Sequence, residues 1–223
     1  MKYAVASVLI ALAMAAPASG ETRNLSGFTA VQAQDNIVVE VRSGAQFVVE
    51  VTGPEANRII TRLDREQLKI SERNRPWFGP DRRVNALVRV TLPNLSSLAA
   101  AKGATLNAFD ITADAMSLAA AMGGELRING TCHSVDVAAA MGGIVRAQDF
   151  HCVTADISAA MGGEARVFAT RTFDATAAMG GSVNIAGGAH GDTTAVMGGE
   201  VNIADGGKSD HSTSVMGGEV SHD

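Results

Sequence analysis

Two cysteines sit nine residues ahead of two copies of one tetrapeptide, Cys132 before Met141 and Cys152 before Met161, and each adjoins a histidine: Cys132-His133 and His151-Cys152. Two Cys and two His could hold zinc. The cysteines alone could close a disulfide in an exported chain. Four aspartates, Asp136, Asp156, Asp174 and Asp192, each stand five residues before a methionine, and His211 follows at the same offset. Carboxylates repeated in this way could bind a hard cation. They could also supply the pair about 5 Å apart that retaining glycosidases use, or simply hold turn backbone in solvent. A third group is the basic and aromatic stretch Arg73, Arg75, Trp77, Phe78, Arg82 and Arg83, which carries the only Trp of the chain. Such a stretch could stack a sugar ring or hold an acidic group, or serve as a lid over the end of a core. His190, Asp192, Asp205, Asp210, His211, His222 and Asp223 form a fourth, polar group near the C-terminus, set among Gly-Gly turns.

What positions these groups is a repeat. Ala/Val-Met-Gly-Gly occurs six times, at Met122, Met141, Met161, Met179, Met197 and Met216, in steps of 19, 20, 18, 18 and 19 residues, and Ala101-Lys102-Gly103-Ala104 is an earlier degenerate copy. A fixed period of this length indicates a solenoid. Aligned on Met, the columns four after (Leu126, Val145, Ala165, Val183, Val201), six after (Ile128, Ala147, Val167, Ile185, Ile203) and four before (Leu118, Val137, Ile157, Ala175) are apolar and alternate with polar ones. That is the period-two pattern of strands with one buried face. Each coil has one strand before the Met-Gly-Gly corner and one after it, and successive coils stack as parallel strands about 4.8 Å apart. In that register Cys132 lies over Cys152 at disulfide reach, while the two histidines fall on opposite sides of the cysteine column, against a metal site. The four aspartates line one outer edge. The methionines share the parity of the inward columns and follow small alanines, so they are expected to fill the core behind the corner. Were they exposed, six stacked thioethers would suit Cu(I). Toward the end the inward columns turn polar, at Thr193, Ser212 and His222, as in a capped solenoid.

Ahead of the repeat, strand-like runs occur at Ile37–Val41 and Gln46–Val51, with Ser43-Gly44 expected to turn them into a hairpin, and again at Asn57–Leu63, Gln67–Ile70 and Asn85–Leu92. The first residues, Met1-Lys2, an apolar run from Tyr3 to Ala16 and Pro17-Ala18-Ser19-Gly20, read as a signal peptide over 1–20, cut after Ala18 or Gly20. No later stretch reads as a transmembrane segment. Residues 21–100 carry 11 Lys/Arg against 9 Asp/Glu, whereas residues 101–223 carry 6 against 14. The acidic solenoid half argues against nucleic acid as a partner.

The opening Asn24-Leu-Ser-Gly-Phe-Thr-Ala-Val31, the Val90-Thr-Leu-Pro-Asn-Leu95 entry and the repeated small-small-Gly-Gly-acid-apolar corner resemble the putative auto-transporter adhesin head GIN domain, the domain of unknown function 2807, over about residues 24–220. The resemblance implies a right-handed parallel β-helix preceded by shorter strands, an adhesin-like role and no catalytic residues. The corner in that family is commonly Ser-Gly-Ser-Gly-Asp; here it is Ala-Met-Gly-Gly-Glu, as at Ala121 to Glu125.

The expectation is therefore an all-β chain: a strand-rich section over 21–95 continuous with a parallel β-helix of seven coils over 96–223. It is expected to be exported to the periplasm, cell surface or medium. Its expected role is to bind an extended glycan or another surface protein, with no catalytic residues, metal or cofactor. A polysaccharide-active enzyme using the outer carboxylates, and a self-associating structural protein, are the two alternatives.

Overall fold

A computed structural model describes residues 20–73 and 83–222. Residues 1–19 of the signal-peptide reading over 1–20, the site candidates Arg75, Trp77, Phe78 and Arg82, and Asp223 of the C-terminal polar group lie outside the described residues. The described strands are β1 (Glu21–Arg23), β2 (Ala30–Ala33), β3 (Val38–Ser43), β4 (Val48–Thr52), β5 (Ile59–Asp64), β6 (Gln67–Glu72), β7 (Leu87–Leu92), β8 (Ser97–Ala101), β9 (Thr105–Ala121), β10 (Glu125–Ala140), β11 (Ile144–Ala160), β12 (Glu164–Ala178), β13 (Ser182–Ala186), β14 (His190–Val196), β15 (Glu200–Ile203), β16 (Lys208–Val215) and β17 (Glu219–His222). They form a parallel β-solenoid of about seven turns spaced roughly 19 residues apart.

The repeat register follows the Met alignment. Ala121, Ala140, Ala160, Ala178, Val196 and Val215, each just before a Met, stack in one line. Changes in coil length are absorbed elsewhere: the pairing slips between Arg127 and Asn129, and between Ala147 and His151, on the side away from the Met corner. The apolar columns named above are buried and join one continuous core from Phe28 to Ile203. Burial of small Ala columns beside Leu, Val and Ile columns is how a thin coil reaches close packing without aromatic bulk.

β2, a corner at Asp35-Asn36, and β3 stack directly on β8 and β9 in parallel register. The expected hairpin at Ser43-Gly44 does not form. β7 lies between β3 and β4, parallel to the first and antiparallel to the second. The period-two pattern of both strands was satisfied by β7 as a shared neighbour, and a turn signal alone does not choose the partner. Antiparallel pairs β5–β6 and β1–β4 close this end of the stack. At the other end β16 is exposed along almost its whole length, with Ser212 and Ser214 where earlier coils carry buried residues.

The methionine expectation is overturned. Met122, Met141, Met161, Met179 and Met197 are 46–48% exposed and Met216 is 76% exposed. Each corner is a β-turn closed from the second glycine to the residue before Met, as in Gly163 N–H to Ala160 O, 3.0 Å. Both central residues are left-handed: Met161 has φ 50° and Gly162 has φ 72°. Two successive left-handed residues, the arrangement of a type I′ turn, turn the Met side chain outward, while the alternation resumes in phase on either side, at Ala159 and Gly163. Gly163, not Met161, is the buried corner residue. A non-glycine residue in this conformation costs about 1–2 kcal/mol. Asn tolerates it best after Gly, and the first corner uses Asp35-Asn36, with φ 65° and 57°. Met161→Asn is accordingly expected to raise stability by up to about 1 kcal/mol, read as a higher urea midpoint at unchanged slope.

A candidate binding groove on the outer face

Within each coil the strand leading to the Met corner bends. In β10 the exposed–buried alternation breaks at His133 and Ser134, and in β11 at Val153 and Thr154. Before the bend the Cys column faces inward, with Cys132 and Cys152 buried and joined in a disulfide at a Cα–Cα distance of 4.5 Å. With both sulfurs so bonded, no thiolate remains for zinc. His151 instead stacks its ring on Phe168 of the next coil, with centroids 4.2 Å apart. Among the described residues no three His, Cys, Asp or Glu side chains converge to hold a metal.

After the bend the outer face carries the aspartates. Asp136 pairs with Asp156, Asp156 with Asp174, and Asp174 with Asp192, in parallel register. Ser117 bounds the row on one side, and His211 on the other, where its Nδ1 lies 3.0 Å from Asp192 Oδ1. Residues two apart on a strand share a face, so two hydroxyl rows flank the carboxylates. One is Ser134, Thr154 and Thr172; the other is Ser158, Thr176 and Thr194. Sequence reading found the acidic row and missed these. The signal was present as Ser/Thr two residues either side of Asp156 and Asp174, and on one side of Asp136 and Asp192. The hydroxyls of Ser134 and Thr154 donate to backbone carbonyls of the preceding coil, Asp114 O at 3.5 Å and His133 O at 3.3 Å. Their oxygens still have lone pairs with which to accept from a ligand.

Along the bend the row Ser134, Thr154 and Thr172 and the carboxylates Asp136, Asp156 and Asp174 line an open groove of about 650 Å³ that starts at Ser96 and Met116, and the row Ser158, Thr176 and Thr194 lies beside it. In each coil a buried apolar residue, Met116, Val135, Ala155 or Phe173, lines it beside an exposed polar one, Ser117, Asp136, Asp156 or Asp174. Partial burial raises the Asp174 carboxyl above its ordinary value, and the charges of Asp156 and Asp192 on either side add to this. A raised folded-state value means the folded chain holds that proton more tightly than the unfolded chain does. Stability from this group is then greatest at low pH and falls as pH rises from the ordinary carboxyl value through the raised one. Asp174→Asn should therefore stabilise the protein at pH 7 and have little effect below about pH 3, measured as thermal midpoints at both pH values.

The remaining candidates are separate from the groove. Arg73 and Arg83 are exposed at the N-terminal end, where the Arg73 N–H bonds Arg58 O at 2.6 Å. His190 Nδ1 pairs with Asp210 Oδ2 across one coil step at 2.9 Å. On the strand after the Met corner, Glu125 bonds Arg127 at 2.8 Å and also Arg146 of the next coil, and Glu164 bonds Arg166 at 2.7 Å. In these coils the face is self-neutralised and has little charge left for a partner. Among the described residues no helix is long and apolar enough to cross a membrane.

Several solved structures share this fold. A "putative adhesin" from Bacteroides fragilis is 13% identical over 92% of this chain and 96% of its own, with a TM-score of 0.62. A "putative adhesin" from Parabacteroides merdae is 12% identical over 92% and 95%, with a TM-score of 0.60. A "putative lipid binding protein" from Parabacteroides distasonis is 16% identical over 92% and 96%, at 0.53. These likenesses establish the fold. No curated protein matches the chain. The sequence profile described as "Putative auto-transporter adhesin, head GIN domain" matches residues 27–189, well over half of the chain, and the chain belongs to that family.

Proposed function

We propose that the protein is an exported, non-enzymatic binding module that holds an extended polyhydroxylated chain, a glycan, along the groove after the bend. The observation that carries this reading is the in-register triple row of hydroxyls and carboxylates. The full set, a carboxylate with a hydroxyl on each side, is present at Asp156 and again at Asp174, one coil step of about 4.8 Å away. Carboxylates accept from sugar hydroxyls in charge-assisted bonds, and the edges of Phe173 and Met116 offer apolar surface to sugar C–H groups. The adhesin label of the family supports a surface-binding role. Against cleavage stands the equivalence of the aspartates: a catalytic pair needs two environments that push the carboxyls apart in role, whereas these recur as one repeated position.

The test is a glycan array probed with the mature chain and with an Asp136→Asn, Asp156→Asn, Asp174→Asn variant. Hydrogen bonds to charged groups contribute about 1.5–3 kcal/mol each, so the variant should bind at least about tenfold more weakly. An array with no bound glycan, or a variant that binds as the parent does, would count against the proposal. Self-association has an observation of its own, since the exposed β16 leaves an unpaired strand edge at the C-terminal end of the stack. Sedimentation over a range of concentrations separates that reading from glycan binding: a strict monomer removes it.

A further inference from the structure

The six corner methionines are unexplained by folding. Their side chains are exposed, so they fill no core. Their backbones are left-handed, so Gly, Asn or Asp would suit the turn better, and the chain does use Asp35-Asn36 at its first corner. A residue that the fold disfavours has nevertheless been placed at the same outward position six times in succession. The choice of Met is then a choice of its thioether.

The corners stack closely. Gly123 N–H bonds Met141 O at 3.3 Å, Gly142 N–H bonds Met161 O at 3.2 Å, and the N–H of Met161, Met179 and Met197 each bond the next coil at 3.1–3.3 Å. Successive thioethers therefore rise from backbones one strand spacing apart, about 4.8 Å. A side chain with three rotatable bonds can bring its sulfur against the sulfur of the next rung.

We propose that this methionine ladder is a binding track for a soft monovalent cation of the Cu(I) and Ag(I) class, each ion held between successive thioethers. Thioether sulfur is a ligand for Cu(I) and a poor one for the hard ions that carboxylates prefer. The charge around the ladder favours its C-terminal half. Lys102 takes the place of Met in the earliest copy of the corner, with φ 52°, and puts a positive charge at that end. Beside Met122, Met141 and Met161, Glu125 and Glu164 are paired with Arg127, Arg146 and Arg166. Beside Met197 and Met216 the glutamates recur as Glu200 and Glu219, but the arginine positions are Asn202 and Ser221. The negative potential needed to hold a cation is thus concentrated around Met197 and Met216, with Glu200 stacked one coil beyond Ser182, which follows Met179.

The experiment titrates Ag(I), which needs no reductant, into the mature protein carrying methyl-13C methionine, in a chloride-free buffer at pH 5. Thioether sulfur carries no proton to lose, so its affinity for a soft cation persists at this pH. The corner methyl signals should move and saturate, and Met116, which is 3% exposed, should serve as the unmoved internal reference. Met179→Leu, Met197→Leu, Met216→Leu should weaken binding at least about tenfold, and Met122→Leu, Met141→Leu by less. Unmoved corner signals at pH 5 would overturn the proposal. So would a shift shared by Met116, or wild-type affinity in the C-terminal triple variant. Should that variant fail to fold, the methyl shifts of the parent protein still decide the matter.

Discussion

Gly163→Ala should cost about 3–5 kcal/mol, near the upper end for a single substitution, while Gly162→Ala one position earlier should cost only about 1 kcal/mol. The two glycines are adjacent and do opposite jobs. Gly162 has φ 72°, and a Cβ there would meet nothing within 4 Å, so its substitution brings backbone strain alone. Gly163 is not left-handed but faces the coil before it. A Cβ there would lie 2.2 Å from Ala139 O, 2.5 Å from Ala139 C and 2.8 Å from Ala140 N. All three are backbone atoms of a hydrogen-bonded strand, with no flexible side chain able to swing away. Making room would separate β10 from β11 at the corner and break the N–H to O contacts on both sides. Because each coil leans only on its neighbours, the damage should divide the solenoid at that rung. Urea unfolding of Gly163→Ala should start earlier and lose its single step, whereas Gly162→Ala should keep the parent slope with a slightly lower midpoint. Equal effects of the two substitutions would mean that the corner glycines were misassigned.

Removing the disulfide ranks next. Cys132 and Cys152 are 20 residues apart in sequence, one full coil, and cross-linking a loop of that length restricts the unfolded chain by about 3 kcal/mol. Cys132→Ala, Cys152→Ala should therefore lower the thermal midpoint by roughly 6–12 °C for a chain of this size. The pair is buried at the start of the bend, so the loss should be felt first in the segment that forms the groove wall. Thiol counting on the unfolded, unreduced protein should find no free thiol. Two free thiols would contradict the coil register on which both the acidic row and the groove depend.

The repeat made most of this legible before any coordinates. Leu126, Val145 and Val183 could be placed inside, and Cys132 set over Cys152, by counting from Met, because parallel register turns equal offsets into spatial columns. Counting failed where local geometry changes parity. Met161 and Gly162 are both left-handed, and an alternation rule does not say where a side chain within such a pair points, although it resumes in phase beyond it. The two glycines after each Met were a warning of this, since one supplies the positive φ and the other the close approach. The bend at His133–Ser134 was hidden for a related reason: it shifts parity within what reads as one long strand, and it sets the hydroxyl rows beside the aspartates. Partner choice among β3, β4 and β7 was not legible either, because all three alternate alike and only the tertiary arrangement selects β7 as the shared neighbour.

The account rests most heavily on where a partner lies. Amide hydrogen exchange of the mature protein, with and without a glycan selected from the array, tests that directly. The expected result is added protection at 154–158 and 172–176, in the hydroxyl and carboxylate rows of adjacent coils, with none on the Glu125–Arg146 face. Protection confined to residues 73–83, to that charged face or to the β16 edge would contradict the groove as the binding site.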